Sequence, residues 1–217
     1  MCVMNTTREK RIKKAISERQ LKDKEDLKNL ILKSAAAILL DKGYEKFSLR
    51  QVAESIGYSA TTIYLYFKDK DDLLFSVVSQ GFRIFFDMLS FASENAKDLE
   101  GKIKATGIAY VKFAIENPLY YQIMFMSRGD LILKNFETYE NTPITNSLKL
   151  LENLVIEAVE KGLLKKEYDT KYYVRVIWSA VHGVASLYIA MPFDYIDSEI
   201  LKVAEISVNM TFKGLKA

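Results

Sequence analysis

The stretch SLRQVAESIGYSATTIYLYFKDKDDLL, Ser48 to Leu74, leaves the chain few ways to fold. Ser48 reads as an N-cap with Gln51 three residues on, the two halves of a capping box. Leu49, Val52, Ala53 and Ile56 then form an apolar stripe only two turns long, which Gly57 ends. Ser59 caps a second short helix whose Ile63 and Phe67 fall on one side. Asp69 and Asp72 take the N-cap and N3 positions of the next, which runs through Leu73, Leu74, Val77 and Val78 to about Phe91. Helices of two turns are not stable alone. They need the longer helix upstream, where Leu27, Leu30, Ile31, Ser34, Ala35 and Ile38 keep helical spacing until Gly43 offers a left-handed end. Two short helices across a glycine turn, braced by their neighbours, make a helix-turn-helix. One helix rests on a DNA backbone and the second lies in the major groove.

That arrangement assigns sides. With Ile63 and Phe67 inward, Thr61, Tyr64 and Leu65 lie opposite, flanked by Thr62 and Tyr66. Hydroxyls bond phosphate oxygens, and an exposed leucine or a methyl group packs on thymine methyls. Arg50, early in the first short helix, has the reach for a guanine edge. Lys70 joins a cation to the N–H groups of a helix start, which suits a phosphate. Taken alone, an aromatic stripe is more often core; the caps and the turn reverse that reading. Charge is unevenly placed: residues 1–80 carry 15 Lys+Arg against 11 Asp+Glu, whereas residues 81–217 carry 16 against 17. The excess is densest at Arg8, Lys10, Arg11, Lys13 and Lys14. Residues 1–22 are expected to be a basic arm, either one that enters a minor groove or a solvated tail.

Only three prolines and nine glycines interrupt the 217 residues, and alternating strand-like runs are nearly absent, so the whole chain reads as all-α. Further helices are expected at about 101–116, from Asn117 and Pro118 onward, and at about 143–161, 170–190 and 198–213, with a loop over 127–141. The segments GIAYVKFAI and PLYYQIMFMSRGDL are rich in Tyr, Phe and Met. Such side chains either line an adaptable apolar cavity or simply fill a helical core. In VRVIWSAVHGVASLYIA, one stripe is Val174, Ile177, Trp178, Val181 and Ala185, and another is Val176, Ala180, Gly183, Val184 and Leu187. A helix apolar nearly all round is buried on several faces. This helix and the last one, through Ile200, Leu201, Ala204, Val208 and Phe212, are expected to form a four-helix interface between two subunits.

Several classes of function fall away. The single cysteine, Cys2, and single histidine, His182, exclude an internal disulfide and cysteine-rich or multi-histidine metal sites. No nucleophile–base signature or phosphate-cradling glycine loop is present, so neither an enzyme nor a cofactor is expected. Asp71 and Asp72 read as first-turn residues favoured by the helix dipole. The sequence contains no obvious bilayer-spanning run and begins with charge rather than a leader, so a cytoplasmic protein without a membrane partner is expected.

Residues from about Lys24 to Phe75 resemble the DNA-binding domain of TetR/AcrR-family transcriptional regulators. The likeness lies in ILKSAAAILLDKGYEKFSLRQVAESIGYSATTIYLYFKDKDDLL, with its A-x-x-x-G turn, its I-Y-x-Y-F segment and K-x-x-L opening the next helix. The resemblance implies a three-helix DNA-binding domain over 23–70 and a ligand-binding and dimerisation domain over 71–217. It also implies a homodimer on a double-stranded palindromic operator. Ser48, Tyr64, Tyr66 and Lys70 match positions that grip the backbone; Arg50, Ala60, Thr61 and Thr62 match those nearest the bases. Tyr66 stands where many members have histidine, and Tyr58 replaces a small aliphatic residue in the turn. The Trp178…His182-Gly183 segment resembles a C-terminal variant of the family. With the family's habit of binding a small ligand there, Phe113, Tyr120, Tyr121, Met124, Phe125, Trp178 and His182 become candidates for a small, largely apolar effector. A lone histidine on such a helix is otherwise a hydrogen-bonded core residue. The expected function is therefore a ligand-responsive dimeric repressor. The competing reading is a small-molecule carrier or sensor of the same fold that binds no operator.

Overall fold

The structure, a computed structural model, describes residues 3–127, 142–191 and 197–217. The chain divides into two compact units, Met1–Val77 and Val78–Ala217.

The first unit contains α1 (Val3–Lys46), α2 (Leu49–Ser55), α3 (Ala60–Tyr64) and the opening turns of α4 (Lys70–Glu94). Helix α1 is interrupted near its end at Gly43, whose φ of 73° and ψ of 165° an L residue rarely adopts. Upstream of Gly43 the segment lacks proline and glycine and is rich in Lys, Arg, Glu and Ala, so nothing stops the helix. The residues expected as an arm or tail are consequently helical from Val3, and the side chains of residues 8–26 are all exposed. Ile31, Leu32, Ala35 and Ala36 form the buried stripe of α1; Leu30, 45% exposed, drops out of it. Across the glycine turn, Gly57 has φ 73° and the Tyr58 N–H donates to the Ala53 carbonyl at 2.9 Å. Val52, Ala53, Ile63, Phe67 and Leu73 complete this small core.

The second unit continues α4 and adds α5 (Leu99–Glu116), α6 (Pro118–Tyr121), a π-helical stretch (Gln122–Ser127), α7 (Pro143–Glu160), α8 (Thr170–Ala190) and α9 (Asp197–Leu215). Among the described residues there is no strand, only an isolated bridge between Leu164 and Lys216. Apart from Ser127, the expected loop lies outside the described residues. Asp98 caps α5, accepting from the Gly101 N–H at 2.7 Å, and Asp169 caps α8 through the Lys171 N–H at 2.9 Å. Ile177, Val181 and Ala185 of α8 are buried with Tyr173, whereas Val176 and Leu187 are exposed, so the two stripes read in the sequence face different ways.

Two expectations change here. Ile200, Ala204, Val208 and Phe212 of α9, expected at a subunit interface, are buried within their own chain. Spaced four apart, they share one face of α9, and that face packs on α5 and α8 of the same unit. The apolar residues that α9 leaves exposed are Val203, Ile206 and Met210. Second, α4 and α8 are each long and apolar enough, by length and composition, to cross a bilayer, with mean hydropathy 1.3 and 1.2. Both contribute buried residues to this globular core, which demands the same composition.

Candidate nucleic-acid interface and apolar cavity

In the first unit, local hydrogen bonding sets up α3. Ser59 Oγ accepts from the Thr62 N–H at 3.1 Å and lies 2.9 Å from the Thr62 hydroxyl. The Thr62 side chain is thus partly committed to the cap. The helix has five residues and buries Ile63; Phe67, just past its end, is buried as well. Thr61 is exposed, Tyr64 is 59% exposed and Leu65 is 77% exposed, while Ala60, Thr62 and Tyr66 are half-buried beside them. A large aromatic and a leucine left in solvent on a five-residue helix are an unusual use of apolar area.

The backbone-gripping candidates surround this face. Ser48 Oγ accepts from the Gln51 N–H at 3.3 Å while Gln51 Oε1 accepts from the Ser48 N–H at 3.1 Å, the capping box read in the sequence. The hydroxyl proton of Ser48 remains available to an acceptor. Arg50 projects into solvent from the first turn of α2. The Lys70 ammonium lies 4.1 Å from the centroid of the Tyr44 ring, whose hydroxyl donates to Asp71. Asp69 Oδ1 accepts from the Asp71 and Asp72 N–H groups at 3.0 and 2.9 Å, so these first-turn donors are already used. What Lys70 offers an anion is its ammonium. Lys24 of α1 places its ammonium 6.0 Å from the Tyr66 ring centroid.

The second unit holds an apolar cavity of about 570 Å³, including space at its mouth open to solvent. Phe82, Phe85 and Leu89 of α4, Thr106, Gly107 and Tyr110 of α5, and Phe125 form part of the wall. Ser147, Leu148 and Leu151 of α7 and Val174, Ile177, Trp178 and Val181 of α8 complete it. Phe85 organises the aromatic side, with ring centroids 5.2 Å from Tyr110, 5.1 Å from Phe113 and 5.6 Å from Phe125. The few polar groups are spent internally: Thr106 Oγ1 donates to the Lys102 carbonyl at 2.8 Å, and Ser147 Oγ to the Pro143 carbonyl at 2.7 Å. Among the described residues, no charged side chain lines the space. It can solvate hydrocarbon; an anionic group inside it would have no partner.

Two wall residues, Tyr110 and Trp178, join Tyr121 and His182 behind them in a four-membered polar cluster. Trp178 Nε1–H donates to Tyr110 Oη at 3.1 Å, and the hydroxyls of Tyr110 and Tyr121 both lie 2.9 Å from His182 Nδ1. With the ring proton on Nε2, Nδ1 has a single lone pair and accepts from one of these two hydroxyls at a time. Burial pulls His182 below its ordinary value of 6.5. Burial also raises Tyr121 to about 12 and Tyr110 well above its ordinary range. All four members are neutral at physiological pH.

Of the seven ligand candidates, Phe125 and Trp178 line the cavity. His182 sits one hydrogen bond behind it, through Tyr110, and Tyr121 is bonded in turn to His182. Phe113 is fully buried core. Tyr120 and Met124 pack toward Gly81 of α4, where an added Cβ would come within 3.1 Å of the Tyr120 ring and 2.5 Å of the methionine sulfur. Sequence reasoning missed Tyr110, one turn before Phe113 in the same quoted segment, and the Phe82–Phe85 pair of α4. The spacing of three in GFRIFF was the available signal for that pair.

Comparison with known proteins bears on both sites. Residues 31–77 match the family model described as bacterial regulatory proteins, tetR family, and residues 103–210 match that of the tetracyclin repressor-like C-terminal domain. The chain is 21% identical over 168 residues to a fatty acid metabolism regulator protein of Bacillus subtilis, covering 73% of this chain and 81% of that protein. A solved structure of the fatty acid degradation regulator FadR from Bacillus halodurans superposes with TM-score 0.72 at 23% identity, over 85% of this chain and 94% of that one. The transcriptional regulator FadR from Bacillus subtilis in complex with stearoyl-CoA also gives TM-score 0.72, at 16% identity, over 86% and 98%.

Proposed function

Because the chain belongs to the tetR family of bacterial regulatory proteins and is one of its transcriptional regulators, we propose that it is a homodimeric repressor whose hold on a palindromic operator is loosened by a long-chain acyl effector. The observation that carries the effector reading is an apolar cavity with no charged wall residue among the described residues. Such a space favours a hydrocarbon chain and disfavours an ionised carboxylate, so the acyl group enters and any charged portion stays outside. The stearoyl-CoA bound to the FadR from Bacillus subtilis supports the same chemistry. Phe125 and Trp178 touch the chain; Tyr121 and His182 hold Tyr110 in position from behind.

The operator is gripped by Ser48, Tyr64, Tyr66 and Lys70 and read by Arg50, Ala60, Thr61 and Thr62. The exposure of Thr61 and Tyr64 on a capped helix supports this assignment. Val176, Leu187, Val203, Ile206 and Met210 expose apolar surface on the last two helices, which supports dimerisation there. Open space around the Cβ position of Gly183 suits close approach of a second helix. In a dimer the two reading heads must match half-sites about 34–36 Å apart, or multiples of that. An effector that favours another spacing weakens binding without touching DNA. A regulator of this kind works in the cytoplasm.

The test is operator affinity on a duplex selected from a random pool, measured with and without saturated acyl-CoAs of graded length. A large drop in affinity that depends on chain length is expected. Affinity unchanged across the panel overturns the effector reading, and sedimentation as a monomer at micromolar concentration overturns the dimer.

A further inference from the structure

The N-terminal part of α1 takes no part in the operator grip assigned to α2, α3 and Lys70, yet it is the most basic surface of the chain. Residues 8–22 carry seven Lys+Arg against two Asp+Glu, and every one of their side chains is exposed. The helix gives these charges an order that an unstructured arm would lack. At about 100° per residue, Lys10, Lys13, Ser17, Gln20 and Lys24 share one side of α1; Glu18 and Asp23 fall on others, and Glu9 lies at its edge beside Gln20. That lysine side is oriented by one interaction: Lys24 lies over the ring of Tyr66, beside the exposed face of α3. Lys14 pairs with Glu18 at 3.8 Å, but neither Lys10 nor Lys13 has an ion-pair partner among the described residues.

We propose that this side of α1 is a second nucleic-acid contact, laid along the phosphates that flank the half-site read by α3. It rests on the operator-binding reading. Charge complementarity selects the occupant: two lysines about one turn apart and a third about three turns further on, with a serine and a glutamine between them and Glu9 only at the edge, match a row of phosphate oxygens. From Lys10 to Lys24 the helix rises about 21 Å, equal to the axial rise of roughly six base pairs of duplex. A lipid surface fits less well. The exposed Ile12 and Ile16 form a single small patch, and Leu21 projects from a different side, so there is no broad apolar face to enter a bilayer. The helix adds affinity and lengthens the footprint without adding base discrimination, because phosphates carry no sequence information.

The experiment uses the full chain and a duplex selected from a random pool by the wild type. Affinity is measured from 50 to 200 mM salt for the wild type, for Lys10→Gln with Lys13→Gln, and for Arg8→Gln with Arg11→Gln, which alters the opposite sides of the same helix. Glutamine keeps helix propensity, and circular dichroism verifies it. Removing two phosphate partners makes the log–log salt slope of the lysine pair variant shallower by about 1.8. The wild-type advantage at 50 mM then shrinks about tenfold by 200 mM. The arginine pair variant changes the slope by less than half as much. Trimming the flanks of the duplex to the bare half-sites weakens the wild type more than the lysine variant. An unchanged slope in the lysine variant, or an equal change in both variants, overturns the proposal while leaving the operator reading intact. Failure of the wild type to retain any duplex overturns both. Retention of the wild type on phosphatidylserine vesicles, abolished in the lysine variant while duplex slopes coincide, assigns the helix to membrane instead and overturns the proposal.

Discussion

The first unit keeps its proposed working groups outside and the second keeps them inside, and the two therefore respond differently to substitution. In Met1–Val77 the core is small: two short helices are held by Ile63, Phe67, Val52 and Ala53, while Thr61 and Tyr64 touch little. In Val78–Ala217 the cavity wall is also the core. Phe85 sits within 6 Å, centroid to centroid, of Tyr110, Phe113 and Phe125, so the residues that shape the cavity hold up the unit. An exterior site can change its specificity at little cost in stability. An interior site changes its ligand and its packing together.

The largest expected effect is in the interior. Phe113→Ala removes a fully buried ring against Phe85 and should cost about 3–5 kcal/mol of stability. Urea unfolding of the variant checks this; a decrease under about 1 kcal/mol would mean that the aromatic cluster is loosely packed and that the contrast between the units fails.

Next comes the exterior. Thr61→Ala with Tyr64→Ala should weaken operator binding by about 1–3 kcal/mol for each well-formed interaction with the duplex that is removed, while unfolding stays within about 0.5 kcal/mol of the wild type. Side by side, a duplex titration and a urea melt decide the matter. A destabilisation as large as that of Phe113→Ala would show that the exposed face is structural after all.

Smaller again is the effect of the cap. Ser59→Ala removes the acceptor for the Thr62 N–H and should cost about 1 kcal/mol. Because α3 has only five residues, the same change should also lower operator affinity, which joins stability to binding in the unit where they are otherwise separate. A shifted urea midpoint with an unchanged slope and unaltered affinity would separate them again.

The contrast also explains what the sequence could reveal. The first unit is legible because its turns are local: Ser48 with Gln51, Gly57, and Ser59 with Thr62 fix short-range hydrogen bonds that residue types announce. Residues 1–22 read as an arm only while charge is weighed above helix propensity, and in the structure propensity prevails from Val3 onward. In the second unit the cavity joins five elements distant in sequence. Periodicity identifies apolar stripes but does not say which of two faces the chain's own core. That is why the stripe of Ile200, Ala204, Val208 and Phe212 resembles an interface in the sequence, although Val203, Ile206 and Met210 are the residues left outside. Phe113 stands out over Tyr110 for the same reason. Both lie on one side of α5, and only the packing of α4, α7 and α8 makes the earlier residue the wall.

The smallest effect tests whether the interior polar cluster behaves as a unit. His182 is held below its ordinary value of 6.5 by burial. The unfolded chain therefore binds a proton that the folded chain resists, and stability is lost as pH falls from about 6.5 toward the folded value. Protonated His182 has no acceptor at Nδ1, so the hydroxyls of Tyr110 and Tyr121 must reorient, and Trp178, bonded to Tyr110, must respond. Trp178 is the only tryptophan, which makes its emission a clean reporter. Urea midpoints and emission maxima measured at pH 7.5 and 5.5 should both shift in the wild type. In His182→Gln, whose side chain does not titrate, both shifts should shrink. Carboxylates elsewhere titrate alike in the two proteins, so only the difference between them counts. If the pH profiles of the two proteins coincide, the histidine is a spectator and the interior of the second unit is ordinary core at that point.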